Sequence, residues 1–141
     1  MSTNAAGPPR QLELVFESAF HHLDRLIEET EAFVAAHIND EDRIYQIVLL
    51  TSEAVTNAIE HGNHLDESKQ VHVELAVEED CLTVSVQDEG SGFSRNEVTD
   101  PLKDDNLFKD GGRGIFLIEE MADEVRYEMD GRKVIMVFHL D

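Results

Sequence analysis

The chain has 141 residues, 41% of them hydrophobic and 30% charged, and its formal net charge is −20. This length and composition predict one globular domain, and no apolar run approaches the ~20 residues needed to span a bilayer, so a membrane-embedded role is disfavoured. The excess of carboxylates would repel nucleic-acid phosphates, which disfavours direct binding to DNA or RNA. The same charge could steer a basic protein partner or simply keep the surface soluble.

The amino-terminal residues MSTNAAGPPR lack both the basic start and the long apolar stretch of a secretory signal. We therefore expect residues 1–10 to form a flexible tail and residues 11–141 to form a single domain. We also expect the protein to stay in the cytoplasm.

Periodicity predicts a strand followed by two helices in the first half of the chain. Apolar residues alternate with polar ones over 11–16, and helical spacing then continues as far as residue 38. Asp40 offers N-cap chemistry for a second helix over 41–61, and Gly62 is its expected C-cap.

The second half of the chain is predicted to hold two hairpins separated by a long loop and a helix. Alternating runs at 71–77 and 81–87 predict the first hairpin. Residues 88–112 lose periodicity, and a loop this long is uncommon in a compact domain unless it is functional or mobile, so we interpret it as a lid. A helix from Gly114 and a hairpin over 125–140 follow. Helices and hairpins in separate runs predict a two-layer α/β sandwich with a largely antiparallel sheet.

A polar group on the second helix is the first candidate site. At ~100° per residue, Glu53, Asn57 and Glu60 share one side of the helix, and Leu49 and Leu50 flank them with apolar surface. A carboxylate and an amide at i and i+4 point the same way and offer the oxygen atoms that Mg²⁺ prefers. This pair suits a metal–phosphate site, although the same spacing is common on solvated helix faces. The opposite, core-facing stripe is predicted to contain Ile44, Ile47, Val48, Thr51, Val55, Ala58 and Ile59.

The second motif is DEGSGF, which begins at Asp88 where an apolar strand ends. Gly90 and Gly92 lack the Cβ atoms that would block the approach of backbone to a planar or charged ligand. Asp88 can accept a hydrogen bond from an exocyclic amine such as that of adenine. An ordinary tight turn would have the same pattern, so the motif alone leaves both interpretations open.

The third motif is DGGRGIFLI, in which a glycine-rich segment passes directly into a helix. Free backbone N–H groups and the helix dipole favour phosphate at a helix N-terminus, so Gly112, Arg113 and Gly114 are candidate phosphate contacts. Lys103 and Lys109 lie in the same loop and could help to bind polyphosphate, or could be ordinary solvated side chains.

Taken in order, the segments SEAVTNAIEHGN (52–63), DEGSGF and GGRGIFLI resemble the N-box and the two glycine boxes of GHKL ATPases. In detail they resemble the bacterial anti-sigma factor serine kinases of partner-switching systems. The similarity covers roughly residues 12–139. It implies the histidine-kinase-like (Bergerat) ATPase fold with a mobile ATP lid.

The resemblance also implies a role for each motif residue, with ATP and Mg²⁺ as the bound species. Glu53 would be the general base for the substrate hydroxyl, Asn57 the Mg²⁺ ligand, and Asp88 the residue that recognises adenine. The motif glycines would divide between the two ends of the nucleotide, with Gly90 and Gly92 shaping the base pocket and Gly112 and Gly114 closing on the phosphates.

The implied function is that of an ATP-dependent protein serine/threonine kinase that phosphorylates an anti-sigma-factor antagonist and, in its other state, sequesters a sigma factor. The resemblance further implies a homodimer and a partner surface on the N-terminal strand and helix, with Phe16, Phe20 and Leu23 as candidates if they are exposed.

Two alternatives stay open. The first is an ATP-binding regulator without kinase activity, because GGRGIF lacks a Ser or Thr just before its glycines and the lid is acidic. Carboxylates that faced inward from the lid would repel ATP. The second is a kinase module of a larger signalling system whose partner is not a sigma factor. The acidic lid residues are Asp100, Asp104, Asp105 and Asp110.

Overall fold

The structure is a computed structural model, and it describes residues 7–90 and 112–140. The strands within these ranges are β1 (Gln11–Glu17), β2 (Gln70–Glu78), β3 (Cys81–Gln87), β4 (Glu124–Glu128) and β5 (Lys133–His139). The helices are α1 (Leu23–Ala35), α2 (Glu41–Asn57) and α3 (Gly112–Met121). Every neighbouring pair of strands is antiparallel, and the spatial order is β1-β2-β3-β5-β4.

Alternation of apolar residues along β1 to β4, and a continuous apolar run from Val134 to Phe138 in β5, create the inner face of the sheet. One row of paired residues crosses all five strands of the described sheet and is apolar throughout: Leu12, Leu75, Val84, Met136 and Val125. Its three central members are fully buried, and the two at the edges are partly buried. Side chains from this face and from the three helices form one hydrophobic cluster. The predicted two-layer α/β sandwich is therefore confirmed.

Helix α2 is the central helix of the second layer and packs against both α1 and α3. Its buried residues include Leu50, which has no exposed surface, whereas Ile44 and Val48 are only half-buried. Five of the seven residues predicted for the core stripe are buried, and the buried face extends to Leu50 and Ala54, which the prediction left out of the core. The five are Ile47, Thr51, Val55, Ala58 and Ile59. A helix with a neighbour on each flank buries a broader face than the single stripe that periodicity predicts.

The two ends of α2 differ in how well they were predicted. The N-cap is confirmed, because Asp40 accepts hydrogen bonds from the backbone N–H groups of Asp42 (3.0 Å) and Arg43 (3.3 Å). After Asn57 the helix widens into a π-helical turn over Ala58–Gly62. Gly62 is not a left-handed C-cap.

The chain reverses just beyond that turn, where His64 and Leu65 have positive φ angles of 54° and 61°. The wider turn holds one more residue than an α-helical turn, so the reversal occurs later than predicted.

The chain ends and the lid are only partly described. Within the predicted tail, the carbonyl oxygen of Pro9 lies 2.8 Å from His37 Nε2, and that of Arg10 accepts a hydrogen bond from the Val77 N–H at 2.9 Å. The domain boundary at residue 11 stays a prediction. Most of the predicted lid, residues 91–111, lies outside the described residues. Among the described helices, none combines the length and apolar character needed to cross a membrane.

An ion pair ties the start of α2 to the sheet. Arg43 contacts the carboxylate of Asp123, which also accepts a hydrogen bond from the His139 N–H at 2.7 Å. The guanidinium group lies 5.4 Å from the ring centre of Phe138. The His139 N–H, followed by Arg43, lowers the pKa of Asp123 below its ordinary value of 3.8.

Because this pKa is lowered on folding, Asp123 stabilises the fold above pH 4 and loses that effect as the pH falls through its folded pKa. We expect Asp123→Asn to lower the free energy of unfolding at pH 7 by about 1 kcal/mol, since the group is partly screened by solvent. Urea denaturation at pH 7 and at pH 3 measures the difference, which should shrink at pH 3. The exposed turn residue Asp130, changed to Asn, is the control. An equal effect of the two substitutions at pH 7 would contradict the prediction.

Candidate functional site

The first turn of α3 lies directly against the polar side of α2. A Cβ atom placed on Gly114 would lie 2.9 Å from both Glu53 Oε1 and Asn57 Nδ2, and 3.4 Å from Asn57 Oδ1. Real Cβ atoms essentially never come within 3.0 Å of other heavy atoms, so a side chain here would displace one or both partners. Gly114 is buried, while Glu53 and Asn57 are half-buried. The second helix and the third motif therefore form one site.

The groups at this junction are of the kinds that bind phosphate and a divalent cation. A helix N-terminus presents free backbone N–H groups and the positive end of the helix dipole, both of which favour phosphate. Glu53 and Asn57 add a carboxylate and an amide oxygen, which are ligands that Mg²⁺ prefers. Because the ends of both side chains converge beside Gly114, this donor set fits a cation shared with a bound phosphate.

Asp88 occupies the other end of the site, immediately after β3. Its side chain is 8% exposed, its N–H donates to the Arg132 carbonyl oxygen at 2.8 Å, and its Oδ1 accepts the Gly90 N–H at 2.8 Å. A Cβ on Gly62 would lie 2.2 Å from Asp88 Oδ2, and a Cβ on Gly90 would lie 1.9 Å from the Gly62 carbonyl oxygen. The Asp88 carboxylate therefore lies against the backbones of Gly62 and Gly90.

Burial dominates the electrostatics of Asp88. Loss of solvent raises the pKa of this carboxyl, and the Gly90 N–H and the Arg132 charge offset only part of that rise. A carboxylate has about four acceptor positions, so Asp88 can accept a further hydrogen bond from an amine on a bound ligand.

The π-helical turn joins the two ends of the site. It begins directly after Asn57 and ends at Gly62. Glu53, Asn57 and the glycine that packs against Asp88 thus lie on one continuous helical segment. In space the first motif lies between the other two, with Gly114 against Asn57 at one end and Asp88 against Gly62 at the other.

Comparison with known proteins identifies this arrangement. Residues 16–138 match the family model for the histidine kinase-like ATPase domain. The chain belongs to this family. Serine-protein kinase RsbW of Listeria monocytogenes serovar 1/2a is 32% identical over 107 residues, which are 71% of this chain and 68% of that protein. Anti-sigma F factor of Clostridium perfringens is 37% identical over 110 residues, which are 74% of this chain and 79% of that protein.

A solved structure supports the same fold. The RsbU and RsbW domains of a Mycobacterium tuberculosis protein superpose with a TM-score of 0.60 at 19% identity, covering 94% of this chain. This chain spans 32% of that longer protein. The family predicted from the three motifs, GHKL ATPases of the anti-sigma factor kinase group, is confirmed, together with its fold and its use of ATP.

The predicted site residues of this ATPase domain fall into three groups. Glu53, Asn57 and Gly114 come together at one end, and Asp88 lies with Gly90 at the other. Gly112 and Arg113 begin α3, and Gly92 lies outside the described residues. The chemical role assigned to each residue stays a prediction.

Two further residues position the site and were not predicted to do so. Gly62 permits the close approach of Asp88, although its sequence position suggested a helix cap. Asn63 is fully buried and hydrogen-bonds to the turn after β3. In the sequence, their role was indicated by their position at the end of the segment 52–63, where a glycine and an asparagine directly follow the predicted helix.

We expect Gly62→Ala to weaken ATP binding about tenfold or more, which corresponds to roughly 1.4 kcal/mol. The added methyl group would overlap the Asp88 carboxylate, which the Gly90 N–H holds in place. Isothermal titration calorimetry with Mg²⁺-ATP measures the change. Tyr45→Ala is the control, because this side chain lies near the start of α2, far along the helix from Gly62, and is 69% exposed. Unchanged ATP affinity in Gly62→Ala would show that the close packing of Asp88 is not required.

Proposed function

We propose that the chain is an ATP-dependent protein serine/threonine kinase and anti-sigma factor that phosphorylates an anti-sigma-factor antagonist in a bacterial partner-switching system. The position of the α3 N-terminus against Glu53 and Asn57 is the observation that carries this proposal. This position would bring together backbone N–H groups for phosphate, a metal ligand (Asn57) and a base (Glu53). The names of the similar proteins, serine-protein kinase and anti-sigma F factor, support the same activity.

Phosphoryl transfer asks mainly for positioning and charge stabilisation. In the proposed reaction, the serine or threonine hydroxyl oxygen of the acceptor forms a bond to the γ-phosphorus of ATP. The bond from that phosphorus to the β,γ-bridging oxygen breaks, and the hydroxyl proton passes to the Glu53 carboxylate. Glu53 suits this role because it is half-buried beside the α3 N-terminus, where the γ-phosphate would lie.

The other motif residues would hold the nucleotide. Asn57 would bind Mg²⁺ through its side-chain oxygen, and Asp88 would accept a hydrogen bond from the adenine amine. Bound Mg²⁺ would supply positive charge to the phosphates during transfer. Backbone groups would complete the pocket, with Gly90 and Gly92 near the base and Gly112, Arg113 and Gly114 near the phosphates.

The proposal includes protein partners and a cytoplasmic location. An antagonist would be the phosphoacceptor, a sigma factor would be the second partner, and the kinase would be a homodimer. The edge position of β1 and the exposure of Val15 (44%) and Phe20 (42%) support a contact surface at the N-terminal strand and helix. Phe16 and Leu23 pack toward the core, so they do not contribute to this surface.

The decisive experiment incubates the protein with Mg²⁺, γ-labelled ATP and each candidate antagonist encoded nearby. We expect Glu53→Gln to lower the transfer rate by about 10²- to 10⁴-fold, the range for loss of a general base, while ATP binding is retained. Glu41→Gln is the control, because this carboxylate lies at the opposite end of α2.

The outcomes separate the proposed function from the regulator. Transfer that depends on Glu53 establishes the kinase. ATP binding by the wild type without transfer to any candidate would favour a regulator whose nucleotide state controls partner binding. A wild type that binds no ATP would exclude both functions.

Asp88 is expected to reduce stability while it supports binding. Its pKa is raised on folding, so its favourable contribution to stability is present below pH 4 and is lost as the pH rises through the folded pKa. We therefore expect Asp88→Asn to raise the melting temperature at pH 7 by a few degrees and to have less effect at pH 3.

The same substitution should weaken Mg²⁺-ATP binding, because the neutral amide is a poorer acceptor for the adenine amine than a carboxylate. Thermal-shift measurements with and without Mg²⁺-ATP test both effects. A variant that is less stable than the wild type at pH 7 and still binds ATP normally would contradict this role for Asp88.

A further inference from the structure

Asn63 has a fully buried side chain at the end of the π-helical turn. Its Nδ2 donates to Ser18 Oγ at 2.6 Å and to the Gln70 carbonyl oxygen at 3.0 Å. Its Oδ1 accepts the Glu89 N–H at 2.8 Å. One amide thus links the end of the helical segment to the residue that follows β1, to β2 and to the turn that follows β3.

Glu89 stands between Asp88 and Gly90 in the chain. Its backbone N–H is held by Asn63, and its carboxylate accepts the Gln70 N–H at 3.0 Å. The next N–H, that of Gly90, donates to Asp88 Oδ1. Two hydrogen bonds therefore hold this turn: a partly buried bond from the Glu89 N–H to Asn63, which joins it to the end of the helical segment, and an exposed bond from the Gln70 N–H to the Glu89 carboxylate, which joins it to β2.

The two sides of the Asn63 amide serve different purposes. The donor side connects Ser18, directly after β1, with the first residue of β2, and these two strands are already paired along their length. The acceptor side is directed to the turn that carries Asp88, where the chain has left β3. Gly62, which directly precedes Asn63, is the residue against which the Asp88 carboxylate packs. Asn63 thus directly follows one of the glycines beside this carboxylate and hydrogen-bonds to the turn that leads to the other, Gly90.

We infer that Asn63 is a positioning residue for adenine recognition, which acts by holding the Glu89 turn so that the Asp88 carboxylate faces the nucleotide base. This inference rests on the proposed function, in which Asp88 recognises adenine. Adenine presents an amine at the position where guanine presents a carbonyl oxygen. A correctly placed carboxylate accepts from the former and is repelled by the latter, so the preference for ATP over GTP measures its placement.

The test compares dissociation constants for Mg²⁺-ATP and Mg²⁺-GTP by calorimetry. We expect Asn63→Ala to reduce the ATP-over-GTP preference about tenfold or more, because a mispositioned carboxylate loses a charged hydrogen bond. Ser18→Ala is the matched control. It removes one buried partner of Asn63 but leaves the bond to Glu89, so it should lower stability without changing the preference.

A second variant keeps the test decisive if Asn63→Ala is too unstable to purify. Asn63→Ser fills more of the space left by the amide, but its hydroxyl is too short to reach the Glu89 N–H, so the preference should fall as in Asn63→Ala. An unchanged preference in either folded variant, or an equal loss in Ser18→Ala, would overturn the inference. Failure of both Asn63 variants to fold would assign this residue to folding and would also overturn it.

Failure of the proposed function gives a different result. A wild type that binds neither nucleotide, or binds both equally, would overturn adenine recognition by Asp88 and this inference together. A wild type that prefers ATP, with an Asn63→Ala variant that keeps the preference, would overturn this inference alone.

Discussion

The site depends on positions where backbone and side chain approach too closely for any Cβ atom. Gly114 brings the first turn of α3 onto Glu53 and Asn57, and Gly62 does the same for Asp88 at the other end. These contacts fix polar atoms relative to backbone N–H groups before a ligand arrives. Such preorganisation lowers the entropic cost of reaching a reactive geometry, which is most of what phosphoryl transfer requires from a protein.

This arrangement places carboxylates in a partly dry site of a chain that already has a net charge of −20. Backbone groups compensate locally, through the Gly90 N–H at Asp88 and the N-terminus of α3 at Glu53. The compensation at Asp88 is incomplete, since burial still raises the pKa of its carboxyl. A buried charge that is placed to meet a ligand lowers the stability of the protein while the ligand is absent. Such a conflict between function and stability is common at functional sites.

The strands and the motif order could be predicted because they depend on local patterns, such as the alternation that buries Leu75 and Val84. Other features depend on distant neighbours. The partners of Asn63 lie 45, 7 and 26 residues away, so no local rule identifies its role. Leu50 was misplaced because periodicity does not show that α2 has a helix on each side. The position of β5 between β3 and β4 likewise follows from packing of the whole sheet.

The π-helical turn changes the direction in which side chains point around the helix axis, between Asn57 on one side and Gly62 on the other. In an α-helix, each residue advances the chain by ~100°, so all side chains keep one fixed phase. The wider turn at Ala58–Gly62 interrupts that phase directly after Asn57. The angle at which Gly62 meets Asp88 is therefore not dictated by the angle at which Glu53 and Asn57 meet α3. The contact of Gly62 with Asp88 and the contact of Glu53 and Asn57 with Gly114 therefore lie on two sides of this interruption and are set separately.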